Sequence, residues 1–160
     1  MENWAAKNNS KIDSNLESAR EKDIRFFRID EFKRNITRVN EFSADCSFCK
    51  KQKIDISEVA ETIFEAVDVP GNKRREYDRL ISRLSVHMRK KHGFYPPFYF
   101  SYLYAFFGFI GGFILGFLLY LIFRQLKEAM FAIGFMIGIV AAYILGSRKD
   151  HKIRSAKKLM

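Results

Sequence analysis

Two stretches toward the C-terminal end hold almost no polar positions. Residues 97–123 read PFYFSYLYAFFGFIGGFILGFLLYLIF and residues 129–146 read AMFAIGFMIGIVAAYILG. Neither contains Asp, Glu, His, Lys or Arg. A bilayer span needs about 20 apolar residues. The first run meets that length with room for tilt, and the second, at about 1.5 Å per residue, reaches roughly 27 Å. RQLKE, Arg124 to Glu128, is long enough for a turn between antiparallel helices and too short for a domain. The pattern predicts a transmembrane hairpin over residues 96–146, with spans at about 97–123 and 129–146.

Upstream the apolar positions recur at helical spacing instead. RIDEFKRNITRVNEF places Ile29, Phe32, Ile36 and Val39 on one face. That stripe is read as core packing in preference to a partner-binding surface. DISEVAETIFEAV places Ile56, Val59, Ile63, Phe64 and Val67 together, with Asp55 or Ser57 as N-cap. VPGN breaks the pattern. Asn72 then caps a helix through KRREYDRLISRLSVHMRKKH, whose apolar face is Tyr77, Leu80, Ile81, Leu84 and Met88. Gly93 suits the left-handed stop after it, and Pro96-Pro97 suit the first turn of the first span. Residues 1–23 are polar and poor in apolar positions, so mobility is expected there. The fold class is mainly α: a helical module over 24–95, the hairpin, and a basic tail over 147–160.

Charge fixes an orientation. The first 96 residues carry 20 Lys/Arg and 16 Asp/Glu. Basic residues flank the hairpin on both outer sides: Arg79, Arg83, Arg89, Lys90 and Lys91 before it, Arg148, Lys149 and four more after it. The turn has only Arg124 and Lys127. The positive-inside bias therefore puts both termini in the cytoplasm, as for a multi-pass protein of a bacterial inner membrane. MENWAAKNNSKIDSN shows no basic region followed by an apolar run, which agrees. Arg83, Arg89, Lys90, Lys91, Arg148 and Lys149 are expected to meet anionic lipid headgroups. Tyr95, Tyr99, Tyr102 and Tyr104 suit the same level. Nucleic acid is the less favoured partner for these charges, because no exposed aromatics interleave them.

Four residues carry candidate chemistry. Cys46 and Cys49 form a C-x2-C pair, and His87 and His92 an H-x4-H pair. Cytosolic thiols stay reduced, so such a pair reads as a metal or redox motif. Thiolate and imidazole are the usual ligands of a tetrahedral zinc site. The LSVHMRKKHG end closely resembles the end of a C2H2 zinc finger, with Leu84 before the first histidine, basic residues between the two and Gly93 after. The resemblance covers only that end and the CSFC knuckle. Cys49 and His87 are separated by 37 residues, against roughly 12 in DNA-reading fingers, so the groove-reading ββα unit is not implied. Because His92 lies five residues after His87, the last helical turn must change its winding to bring both rings to one ion. A thioredoxin-like dithiol is the rival reading, but it requires a strand before the pair, and no such pattern is present. Four ligands leave no open position, so structural Zn2+ is expected. In a module this small it would supply much of the folding energy.

The hairpin glycines are also spaced. Gly108, Gly112 and Gly116 form one four-residue row, and Gly134, Gly138, Ala142 and Gly146 another. Small residues let helices approach in lipid. Either the rows seal the hairpin, or one of them meets a second copy or another integral membrane protein. In outline the hairpin resembles the two-helix glycine-rich subunit of rotary ATPase rings. The carboxylate that such rings titrate is missing, so ion carriage is not implied. No nucleophile–base set, phosphate loop or paired carboxylates appear, which argues against an enzyme. The expectation is an accessory or adaptor subunit whose zinc module docks a cytosolic protein. A self-assembling ring or pore and a membrane-tethered nucleic-acid binder are the alternatives.

Overall fold

In the computed structural model, which describes residues 3–123 and 125–160, every named element among the described residues is a helix. Arg124, one of the two basic residues assigned to the turn, lies outside the described residues. The chain divides into two compact units, one running to Phe94 and including Met160, the other Tyr95–Leu159.

The first unit contains α1 (Trp4–Asn15), α2 (Glu21–Phe26), α3 (Ile29–Phe42), α4 (Ser47–Glu61), α5 (Ile63–Asp68) and α6 (Asn72–His87), followed by a π turn, Met88–His92. The two strongest stripes in the sequence become its core. Ile29, Phe32, Ile36 and Val39 of α3 are buried, as are Tyr77, Leu80, Ile81 and Leu84 of α6 and Met88 beyond it. The α3 stripe is therefore occupied inside the unit. Phe32 meets Tyr77 edge-on, with ring centroids 5.3 Å apart, and the buried Tyr77 hydroxyl donates to the Phe27 carbonyl. Burial holds that phenol protonated, its pKa shifted upward. Glu31 is buried at the start of α3, where a two-toothed contact with Arg28 and a 3.3 Å hydrogen bond from Ser85 Oγ satisfy it. Phe32→Ala is expected to lower the stability of this unit by about 3–5 kcal/mol. Trp4, the sole tryptophan, gives a fluorescence readout confined to this unit in a urea titration.

Three expectations change here. Residues 4–15, given as mobile, form α1. The Asn3 side chain caps it, and Ala5, Ile12 and Leu16 enter the core. Trp4 Nε1 donates to Ser57 Oγ at 3.3 Å and Asn15 Nδ2 to the Ala60 carbonyl at 3.0 Å, so α1 is clamped along α4. The helix expected from an N-cap at Asp55 or Ser57 starts earlier, with Cys46 as N-cap, and breaks at Thr62 into α4 and α5. That break turns Ile63, Ala66 and Val67 inward and leaves Phe64 43% exposed, outside the core. Asn72 is the first residue of α6 and Gly71 its cap.

The second unit is a helical hairpin of α7 (Tyr99–Ile122) and α8 (Lys127–Ser155). Both helices are long and apolar enough to cross a membrane, with mean hydropathies of 2.3 and 2.2 in their most apolar stretches. Only 11% and 17% of those stretches are buried, unlike the core helix of a water-soluble protein. Outward positions are large and apolar: Phe106, Phe107, Phe113, Ile137 and Ile144 are all exposed. The glycine rows face each other. A Cβ on Gly138 would lie 2.3 Å from the Gly112 Cα, one on Gly108 would lie 2.2 Å from the Ala142 Cβ, and one on Gly146 would lie 2.8 Å from the Phe100 carbonyl oxygen. Gly116 and Gly134 meet in the same way. Within this chain the two rows approach each other closely, the geometry expected of the self-sealing reading.

The ends of the hairpin also depart from expectation. Pro96 and Pro97 precede α7 and do not form its first turn; Phe98, in a left-handed conformation at φ 60°, is the residue before it. No side chain of the α7 entry caps its free N–H groups. Asp150 of α8 does so instead, accepting from Phe100 N at 3.0 Å, Ser101 N at 2.7 Å and Ser101 Oγ at 2.7 Å. A carboxylate at a helix N-terminus satisfies orphan donors and complements the dipole. Most of the tail read over 147–160 is thus helix, because α8 runs on to Ser155 and carries this cap. Asp150→Ala is expected to destabilise the hairpin by about 2 kcal/mol, read as an earlier midpoint in a dodecyl sulfate titration, with Asp150→Asn falling between.

Candidate metal centre

The centre is built where α3 ends, α4 begins and α6 finishes. The Cys46 N–H donates to the Phe42 carbonyl at 2.9 Å, closing the end of α3. Cys46 is extended (φ −121°, ψ 112°) and is the N-cap of α4, so Cys49 falls in the first helical turn. A two-residue gap across a helix start points both sulfurs to one side. On an ordinary α-helix, side chains five apart lie about 140° away from each other around the axis. Here the winding loosens over Met88–His92 into i→i+5 hydrogen bonds, which bring residues five apart back toward one side. The Gly93 N–H closes the turn on the Met88 carbonyl, with Gly93 left-handed at φ 68° as expected. The H-x4-H spacing and the π turn are one feature seen in sequence and in backbone.

The outcome is a cluster. The ligand atoms of Cys46, Cys49, His87 and His92 all lie within 4.8 Å of one another. Cys46 Sγ is 3.3 Å from His87 Nε2, and Cys49 Sγ is 3.7 Å from His92 Nε2. A tetrahedral ion with about 2.3 Å to sulfur and 2.0 Å to nitrogen separates such atoms by roughly 3.5 Å. Two aromatic rings fix the imidazoles. Phe48 stacks on His87 with centroids 4.0 Å apart, and Phe42 stacks on His92 at 4.0 Å. Neither phenylalanine was singled out from the sequence. Phe48 lies inside the CSFC knuckle, which was the available signal.

Electrostatics suit a cation. The Cys49 N–H directed at the Cys46 sulfur lowers that thiol's pKa, with Phe48 N–H and the Lys91 charge acting in the same direction. Burial lowers the pKa of His87, with help from His92 and Lys91, and burial lowers that of His92. The result is neutral imidazole, the form that binds metal. Cys49 is fully buried and pushed up to about 12 by desolvation. A positive ion at the centre of the cluster would compensate a thiolate there. An ion that took all four donors would keep no coordination position for substrate.

The basic residues assigned to headgroups are divided between the two units. Arg83 pairs with Asp55 at 3.3 Å, while Lys90 and Lys91 are exposed on the π turn. Arg148 and Lys149 are exposed on α8, and the Lys149 ammonium sits 4.2 Å from the Phe100 ring centre. No family model matches this chain, and no match was found among curated proteins or solved structures.

Proposed function

We propose that this chain is a non-enzymatic membrane adaptor or accessory subunit. The first unit is a structural zinc module that docks a protein partner in the cytosol, and α7 and α8 cross a bacterial inner membrane with both flanking segments on the cytosolic side. The observation that carries this reading is the grouping of Cys46, Cys49, His87 and His92, with ligand atoms within 4.8 Å of one another, in a chain that also holds two sparsely buried apolar helices. The tetrad has no open coordination position, and the spans have no ionisable group at membrane depth, so neither half offers catalysis or transport. Zinc is favoured over other ions by two sulfur and two imidazole donors in a tetrahedral arrangement. The basic flanks supply the orientation, and Arg148 and Lys149 are placed to contact anionic lipid. The ring or pore reading loses support because the glycine rows are spent on each other. Nothing in the basic helix favours nucleic acid over lipid.

The test is extraction in mild detergent from the native membrane, with elemental analysis and native mass spectrometry on one sample. One zinc per chain, together with a second protein in fixed stoichiometry, is the expected result. A metal-free chain that runs alone would overturn the reading, and a uniform ring of many identical copies would replace it with the pore. Reporter fusions to each flank check the orientation.

A further inference from the structure

The α6 surface beside the metal centre carries a groove to which the candidate ligand His87 also contributes. Its volume is about 460 Å³. The floor is the Phe48 ring and Val86, which is 44% exposed. The rim is Arg83, Lys90 and Lys91. Positions 83, 86, 87 and 90 follow the 3-4 helical step, so charge and apolar surface share one face. Arg83 already has Asp55 as a partner. Lys90 and Lys91 have no ion pair among the described residues. Phe48 also stacks on His87, so whatever enters the groove touches the ring that orients a ligand.

We infer that this groove docks an acidic amphipathic segment of a protein partner. One Leu- or Phe-sized side chain enters between Phe48 and Val86, and flanking Asp or Glu residues pair with Lys90 and Lys91. The wall favours that occupant over a lipid headgroup. It is nearly all carbon, made of the Phe48 ring, Val86 and the methylene stems of the lysines, with cations only at its edge. A headgroup or a phosphodiester needs polar contacts across its whole surface, whereas a side-chain anchor with charged neighbours needs what is present. Buried apolar anchors supply affinity, and rim charges supply orientation and encounter rate. The inference rests on the docking role proposed above and names the chemistry of the docked surface.

The experiment uses the full chain with its zinc, held in neutral phosphatidylcholine nanodiscs, and a phage-displayed library of 12-residue peptides. Enriched sequences are expected to carry an aromatic or leucine flanked by Asp or Glu. Val86→Glu is expected to weaken their binding at least tenfold with the zinc content unchanged. Lys90→Glu/Lys91→Glu is expected to switch the selection to basic peptides; should that variant lose zinc, Val86→Glu alone decides. Selection of non-acidic sequences, no enrichment, or binding indifferent to Val86→Glu overturns the inference. So does Val86-dependent binding of soluble dihexanoyl phosphatidylglycerol in place of peptide. A partner complex that survives Val86→Glu would sink the groove and leave the adaptor standing, while a chain that purifies alone would sink the adaptor.

Discussion

Stripping the metal with a chelator is expected to lower the melting temperature of the first unit by roughly 15–30 °C. An ion present at a thousand times its dissociation constant stabilises the folded state by about 4 kcal/mol. In a domain of this size each kcal/mol moves the midpoint by about 4–8 °C. Cys46→Ser should give the same shift without chelator, since it leaves three donors around the ion. Trp4 fluorescence reports both experiments, because the chain has one tryptophan and it lies in this unit. Complete unfolding is not expected, although the sequence suggests that metal supplies much of the folding energy. Ile12, Phe32, Ile36, Ile56, Leu80 and Leu84 form a core that does not depend on the ion. Acid should act in the same direction. His87 and His92 have pKa values lowered by burial, so below about pH 6.5 the unfolded chain takes up protons that the folded chain refuses. Their contribution is complete above that pH and is lost as pH falls toward the lowered folded values. Metal release adds to the loss, since thiolates and neutral imidazoles are the ligands. A transition unmoved by chelator, in protein that holds no stoichiometric metal, would refute the centre.

Gly138→Leu is expected to destabilise the hairpin by about 3 kcal/mol. The first side-chain atom alone would stand 2.3 Å from the Gly112 Cα and 2.6 Å from the Gly112 nitrogen. These are backbone atoms, so no rotamer change relieves the overlap, and the helices must part. Gly111→Leu is the matched control: a Cβ there meets nothing within 4 Å, and its effect should be near zero. Dodecyl sulfate titration of the two variants measures the difference. Equal midpoints would mean that the rows do not seal α7 to α8.

The elements legible in the sequence were those whose stability comes from their own pattern. The α3 and α6 stripes were readable because large apolar residues recur there without interruption, and the hairpin because lipid tolerates nothing else over that length. The grouping of Cys46, Cys49, His87 and His92 was readable because Cys and His are scarce in this chain. What escaped depends on partners distant in sequence. The inward face of α1 is Ala5, Asn8, Ile12 and Leu16, too small and too polar to register. It is buried because Ser57 and Ala60 of α4 accept its hydrogen bonds. The early start of α4 is hidden because CSFC carries no apolar helical stripe, whereas Cys46 is itself the helix cap. Asp150 looked like one acid in a basic tail, and its role exists only where α8 returns to the start of α7.

The mutual burial of the glycine rows divides labour between the two units. A hairpin with its narrow edge already filled presents to the bilayer a rough wall of Phe, Ile and Leu. Such a wall meets acyl tails about as well as it meets another protein, so contacts made there discriminate poorly. On the membrane placement and adaptor role proposed above, selectivity for one companion falls to the surface of the first unit, outside the lipid.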